Sequence, residues 1–342
     1  MEGISLEELQ LAARNHGMPL EALRYPVTPV GLHYLLIHYD VPVVEPEAWR
    51  LTVGGLELSL DDLRARPVAE HTVTMECAGN GRARLEPRVV SQPWLLEAVG
   101  TARWRGTRLA PLLQEAGVPD GTVEVLFTGL DRGIEGGDEQ AFQRSLPLEE
   151  ALRDEVLLAY EMNGAPLPPQ HGFPLRLVVP GWYGMTHVKW LTRITAVEEP
   201  FTGYQQAHAY RLRRDEDDEG EPLTRIAPRA LMVPPGLPDF PTRERTLAAG
   251  RCTVEGRAWS GHAPIESVEL GVDGTWTPAK LEPPPGRWAW RGWRAEWDAK
   301  PGDHVLRCRA RDEAGNTQPD EAEWNVGGYA NNGVQRVPVR VV

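Results

Sequence analysis

The chain has 342 residues, 41% of them hydrophobic and 25% charged, enough apolar side chain for about two packed domains of ~150 residues and too much for disorder, collagen or a coiled coil. Its 36 basic residues against 49 acidic give a net charge of −13, a balance that repels phosphate backbones and excludes nucleic acid as an expected partner. The longest apolar runs, residues 156–160 and 175–179, fall far short of the ~20 residues that span a bilayer, so no membrane insertion is expected.

Residues 1–30 read as an N-terminal extension whose first twenty begin with acidic residues in a helix-like stretch, without the basic and apolar regions of an export signal, and the expected location is cytoplasmic, with the periplasm as the alternative if an export signal was removed. Residues 49–53 and 123–128 pattern as short strands, 109–116 and 148–153 as short helices, and 175–179 as a continuous apolar strand. This mixture predicts an α+β chain with a mixed α/β domain over residues 31–235. Four prolines and a glycine at residues 232–241 make a stiff connector. Beyond it residues 253–259, 265–272, 294–298 and 304–311 alternate apolar and polar between turn residues, which predicts an all-β sandwich over residues 236–342.

Within the sandwich, Cys252 shares strand parity with Val254, and Cys308 with Leu306 and Ala310, so both thiols are expected to point inward. Free buried thiols are the expectation in a reducing compartment, with an inter-strand bridge as the alternative. Seven of the 12 tryptophans lie beyond residue 258, four of them crowded at Trp288, Trp290, Trp293 and Trp297, and are read as core or, preferably, a dimer interface. The acidic run at residues 215–219 reads as a solvated loop rather than a metal site.

The third cysteine stands apart. Cys77 lies in Thr74-Met75-Glu76-Cys77-Ala78-Gly79-Asn80-Gly81-Arg82, just after an alternating strand and inside a glycine-containing loop able to present a thiolate. Arg82, Arg84, Arg88, Arg103, Arg105 and Arg108 follow closely; some could depress the thiol's pKa or hold an anion, and most read as surface ion pairs. The scattered His38, His71, His171, His187 and His208 carry no signature of a Cys-His pair, and neither Cys-x-x-Cys nor His-Glu-x-x-His is present for zinc. A lone soft thiolate fits instead one ligand of a transition metal whose other ligands come from an organic cofactor.

The cysteine loop, with Thr101-Ala102-Arg103-Trp104, Gly129-Leu130-Asp131, Leu158 to Gly164, His171-Gly172-Phe173-Pro174-Leu175-Arg176 and Val188-Lys189-Trp190-Leu191, resembles the molybdenum domain of sulfite oxidases, its motifs in family order. Asp312, Ala314 to Pro319, Trp324-Asn325 and Tyr329 to Asn332 resemble that family's immunoglobulin-like dimerisation domain. The resemblance implies one molybdopterin per chain, molybdenum ligated by Cys77, a homodimer and a small oxyanion substrate, sulfite. It implies cofactor contacts from Tyr34, His38, Asp131, His171, Arg176 and the segment His187, Val188 and Lys189. It also implies a substrate pocket from Arg82, Trp94, Tyr210 and Arg336. Three departures weaken the cationic pocket: Leu36 stands where sulfite-oxidising members carry an arginine, Gly81 replaces an arginine of the vertebrate cysteine loop, and Gly333-Val334-Gln335 replaces an aromatic and a histidine. No haem is expected, since Cys-x-x-Cys-His is lacking, so electrons are expected to leave to an external acceptor. The rivals are a reductase of a sulfoxide, nitrate or other oxo donor, and a non-catalytic scaffold with a relic pocket.

Overall fold

The structure, a computed structural model, describes residues 3–342. The segment read as an N-terminal extension is a strap across the molecule. Ser5 and Glu8 form a reciprocal capping box that starts the helix Leu6–Arg14. The chain beyond it binds both domains: Thr28 N donates to Thr101 O at 2.7 Å, while Pro26 O and Leu23 O accept from Trp290 Nε1 and Arg257 Nε at 2.8 Å each.

The first domain holds two five-stranded sheets. One orders Leu56–Leu58, Leu51–Val53, Leu191–Val197, Glu124–Glu135 and Asp138–Pro147; the other builds on Val68–Glu76, Val99–Arg108 and Leu157–Met162, with Arg176–Val178 on the last. The predicted helix forms at Leu109–Ala116, burying Leu109, Leu112 and Leu113 along one stripe. The second predicted helix shrinks to Leu148–Ala151. The strand expected at residues 123–128 continues to Glu135, because Gly136 and Gly137, at φ 65° and 91°, turn it back as a hairpin. Its ladder breaks between Thr128 and Arg132, and this bulge frees Asp131 from the regular alternation.

The second domain is a sandwich of a four-stranded and a six-stranded sheet. Its strands include Gly250–Trp259, Ile265–Val272, Arg291–Ala299, Gly302–Asp312 and Gln335–Val341, whose inner faces share one apolar core. Arg229–Met232 also belongs to it, pairing Leu231 with Arg257. Sandwich pairing thus begins before residue 236: the proline-rich stretch follows the first strand, which is buried throughout.

Cys252 and Cys308 are free thiols, Cys308 fully buried and Cys252 partly so. The tryptophan cluster is not a dimer interface. Trp290 and Trp293 are 0% and 1% exposed, and Trp259 and Trp290 pack into the first domain's core. Trp288 O accepts from Thr74 N at 2.9 Å, so this end of the cluster joins the two domains within one chain, while Trp293 and Trp297 lie in the sandwich's own core.

Candidate active site

Cys77 follows the last residue of Val68–Glu76, where the chain leaves the sheet. Its N–H remains bonded to Ala98 O at 2.9 Å, and its carbonyl accepts from Asn80 N at 3.0 Å, closing a tight loop. Asn80 locks that loop by accepting from Ala98 N and donating to Glu76 and Leu96 O, all within 3.1 Å. The sulfur lies beside a pocket that opens to solvent. Burial pushes the thiol's pKa up, while Arg82, the Gly79 N–H and the Trp94 indole pull it down. The Trp94 N–H has no partner at hydrogen-bonding geometry among the described residues and is thus placed to favour a thiolate when one forms.

The pocket runs between the two sheets of the first domain and gathers residues distant in sequence: Tyr34 and His38, Asp131, His171 and Arg176, His187 and Lys189, and Tyr210. Two of its cations have no full counter-ion among the described residues. Arg176 donates only to the carbonyls of His171 and His187, at 3.1 and 3.2 Å, and weakly to Met75 Sδ, while its Nε has no partner. Lys189 Nζ donates to Leu36 O and Gln170 O at 2.8 and 3.1 Å. Asp131 is the carboxylate facing it; burial raises the Asp131 pKa and lowers that of Lys189, and each partially offsets the other. Burial also depresses His33 to about 4, His38 and His187 to about 3, and His171 to about 2, so the imidazoles are neutral at pH 7.

Buried cations and unpartnered polar atoms are costly without a ligand. Arg176 Nε, His33 Nε2 and Asp131 Oδ1 are all buried without partners among the described residues, and all three residues line the pocket. Two cations with an unpartnered Arg176 N–H, beside unpartnered acceptors on His33 and Asp131, fit an anionic organic group that also donates hydrogen bonds, with a soft thiolate at one end of its cavity. Glycine keeps the wall thin: a Cβ at Gly129 would come within 2.7 Å of Asp131 Oδ1 and of Lys189 O, and one at Gly184 would strike the Tyr34 hydroxyl.

The other wall of the thiol is built by both domains. Arg82 is buried, bonding Gly327 O and Ser91 Oγ at 2.9 Å each, with its guanidinium 4.9 Å from the Tyr329 ring. Ala330 N donates to Ala78 O at 2.9 Å, and Asn331 Nδ2 to Gly81 O at 2.5 Å. Tyr210 sits at φ 46°, a conformation rare for a residue with a Cβ, and its hydroxyl bonds His38 Nε2.

Arg336 is the correction. It lies exposed on Gln335–Val341, paired with Glu321 at 3.3 Å, and has no place at the pocket. Strand alternation buries Gln335 and Val337 and turns residue 336 outward. The second domain's contribution near Arg82 is instead the segment Gly327 to Asn331. Val188 is likewise absent from the pocket lining; its side chain is fully buried in the core and its carbonyl accepts from Leu177 N, while Arg82 and Trp94 also lie outside the lining and bear on the site through the Cys77 thiol. Sequence reasoning missed His33, a lone histidine outside any periodic pattern, and Tyr329.

A family model described as an oxidoreductase molybdopterin binding domain matches residues 38–205, and one described as a Mo-co oxidoreductase dimerisation domain matches residues 240–342. The chain is 38% identical over 340 residues to mitochondrial sulfite oxidase of Mus musculus, covering 92% of this chain and 62% of that protein. It is 38% identical to sulfite oxidase of Gallus gallus, covering 91% and 72%. It thus spans less than two thirds of the mitochondrial relative's length. The solved sulfane dehydrogenase SoxCD of Paracoccus pantotrophus superposes with a TM-score of 0.82 at 26% identity, over 95% of this chain and 84% of that one.

Proposed function

This chain belongs to the sulfite oxidase family, and on that premise we propose that it is a molybdenum-dependent oxidoreductase that oxidises sulfite to sulfate and passes the electrons to an external acceptor. The observation that carries the reading is the buried cationic cavity, with unpartnered polar atoms, that opens beside the single loop cysteine. Those residues fit one molybdopterin per chain. When bound, the molybdenum cofactor supplies the oxo-transfer and two-electron redox chemistry. Cys77 would hold the metal as thiolate, giving up its proton on binding. Arg176 and Lys189 would neutralise the cofactor's phosphate, and His33, His171 and Asp131 would bond its polar edge.

The protein's own part in turnover is orientation and charge. Arg82, fixed by two hydrogen bonds and an aromatic face, presents a preorganised guanidinium beside the thiol, the geometry that favours an oxyanion without reorganisation. Burial pushes the Tyr210 phenol well above its usual range, so its proton is retained at the hydroxyl that bonds neutral His38. Arg82 and Tyr210 are both buried, and poor screening in that setting strengthens these contacts.

A homodimer through the sandwich is part of the proposal, supported by the matched dimerisation domain. No haem is assigned to the chain. A reducing, cytoplasmic location is proposed on the unpaired Cys252 and Cys308. A reductase of an oxo donor such as a sulfoxide or nitrate is the second reading, favoured by Leu36, whose neutral chain lines the pocket. Purified protein is assayed with sulfite and an artificial acceptor, and with oxo donors and a reduced dye. Faster turnover in the first supports sulfite oxidation; faster turnover in the second overturns it.

A further inference from the structure

A buried cation outside the cofactor cavity lies against the substrate wall. Arg144, on Asp138–Pro147, is 1% exposed and makes no ion pair among the described residues. Its Nη1 donates to Gln205 O, and its Nε has no partner there. Its guanidinium carbon lies 5.8 Å from the Tyr210 ring centre, Tyr210 lies 5.2 Å from Tyr329, and Arg82 caps Tyr329 at 4.9 Å. Two guanidiniums therefore bracket a pair of tyrosines contributed by the two domains, next to the hydroxyl that His38 holds. A charge retained in so dry a place without a carboxylate costs stability, and it acts on whatever anion enters because the surroundings screen it poorly.

We propose that Arg144 is a positioning residue for the oxyanion substrate: from behind Tyr210 it supplies a second positive charge to a substrate wall whose Leu36 is neutral. The proposal rests on the reading of the site as one that takes a sulfur oxyanion. Arg144 orders the wall through Tyr210 and attracts the anion through the low-dielectric interior, while Arg82 stands on the other side of the tyrosine pair.

The test compares wild-type holoenzyme with Arg144→Met, which keeps the volume, and Arg144→Lys, which keeps the charge. KM and kcat for sulfite are measured together with the inhibition constant for sulfate. We expect Arg144→Met to raise KM and the sulfate constant at least tenfold while kcat changes less than threefold, and Arg144→Lys to recover most of the loss. Molybdenum content and melting temperature identify a variant that has merely lost its fold. In that case Arg144→Gln, able to donate to Gln205 O, replaces Arg144→Met. Unchanged constants in a folded neutral variant, or a lysine variant as weak as the neutral one, overturn the proposal. If the wild type does not turn over sulfite, the functional reading fails separately, and calorimetric binding of sulfate to the resting protein still reads Arg144. Tenfold weaker binding in the neutral variant supports the inference; equal binding, or none to wild type, refutes it.

Discussion

The ion pair behind the cysteine loop gives the sharpest stability prediction. Glu76 Oε1 and Arg229 Nη1 lie 2.6 Å apart, with side chains 4% and 1% exposed, and they join the strand that delivers Cys77 to the first strand of the sandwich. Glu76 also accepts from Trp259 Nε1 at 2.7 Å and from Asn80 Nδ2 at 2.9 Å. Arg229→Met leaves the carboxylate buried with only those two neutral donors. Stranding one partner of a buried pair costs about 3–5 kcal/mol, and the surviving donors place this case near the lower end. At about 2–4 °C per kcal/mol, the melting temperature of the metal-free chain should fall by about 6–12 °C. Glu76→Gln with Arg229→Met removes both charges and should return to within about 1 kcal/mol of wild type, since neutral replacements of a whole pair are tolerated. Thermal unfolding followed by tryptophan fluorescence reads both variants. A single mutant melting within about 2 °C of wild type, or a double mutant worse than the single, refutes the reasoning.

Acid should destabilise the metal-free protein early. His33, His38 and His187 are held by burial at about 4, 3 and 3, against 6.5 in the unfolded chain. Their stabilisation is therefore complete above pH 6.5 and declines as the pH falls through the window down to about 4, where only the unfolded chain takes up protons. The slope approaches about 1.4 kcal/mol per pH unit for each histidine, so urea midpoints should drop clearly between pH 7 and 5, and a flat profile contradicts the assignment. Gly184→Ala places a methyl group against the Tyr34 hydroxyl and 3.1 Å from Glu76 O, and should lower molybdenum and pterin content several-fold at unchanged secondary structure; full loading counts against the cradle. Arg336→Ala should leave sulfite KM within twofold and stability within about 0.5 kcal/mol, because its ion pair is exposed; a large KM effect would restore Arg336 to the substrate site.

Much of the site was legible because it is local. The loop Cys77 to Arg82 announces itself by glycines after an alternating strand, and the helix Leu109–Ala116 by its stripe. What sequence reading lost is mostly parity and long-range closure. Arg336 matches a family position by spacing, yet Gln335, Val337, Val339 and Val341 form the inward set, and that alternation alone turns Arg336 to solvent. The same rule finds Arg144: Phe142, Arg144 and Leu146 share one face of their strand, and all three are buried. A cation on the apolar face of a strand is a signal carried by residue order alone. Tyr329 had no such signal, because its role depends on a loop of the second domain meeting Arg82, 247 positions earlier in the sequence. The tryptophan cluster misled for a related reason: aromatic density marks buried surface, and only the fold shows that Trp290 is buried against the first domain and Trp293 and Trp297 inside the sandwich of the same chain.

The bond between Cys77 and the metal is the central claim. X-ray absorption at the molybdenum edge, comparing wild type with Cys77→Ser loaded with cofactor, measures it without reference to turnover. One sulfur neighbour should vanish from the metal's coordination shell in the variant; an identical shell in both proteins would contradict the claim.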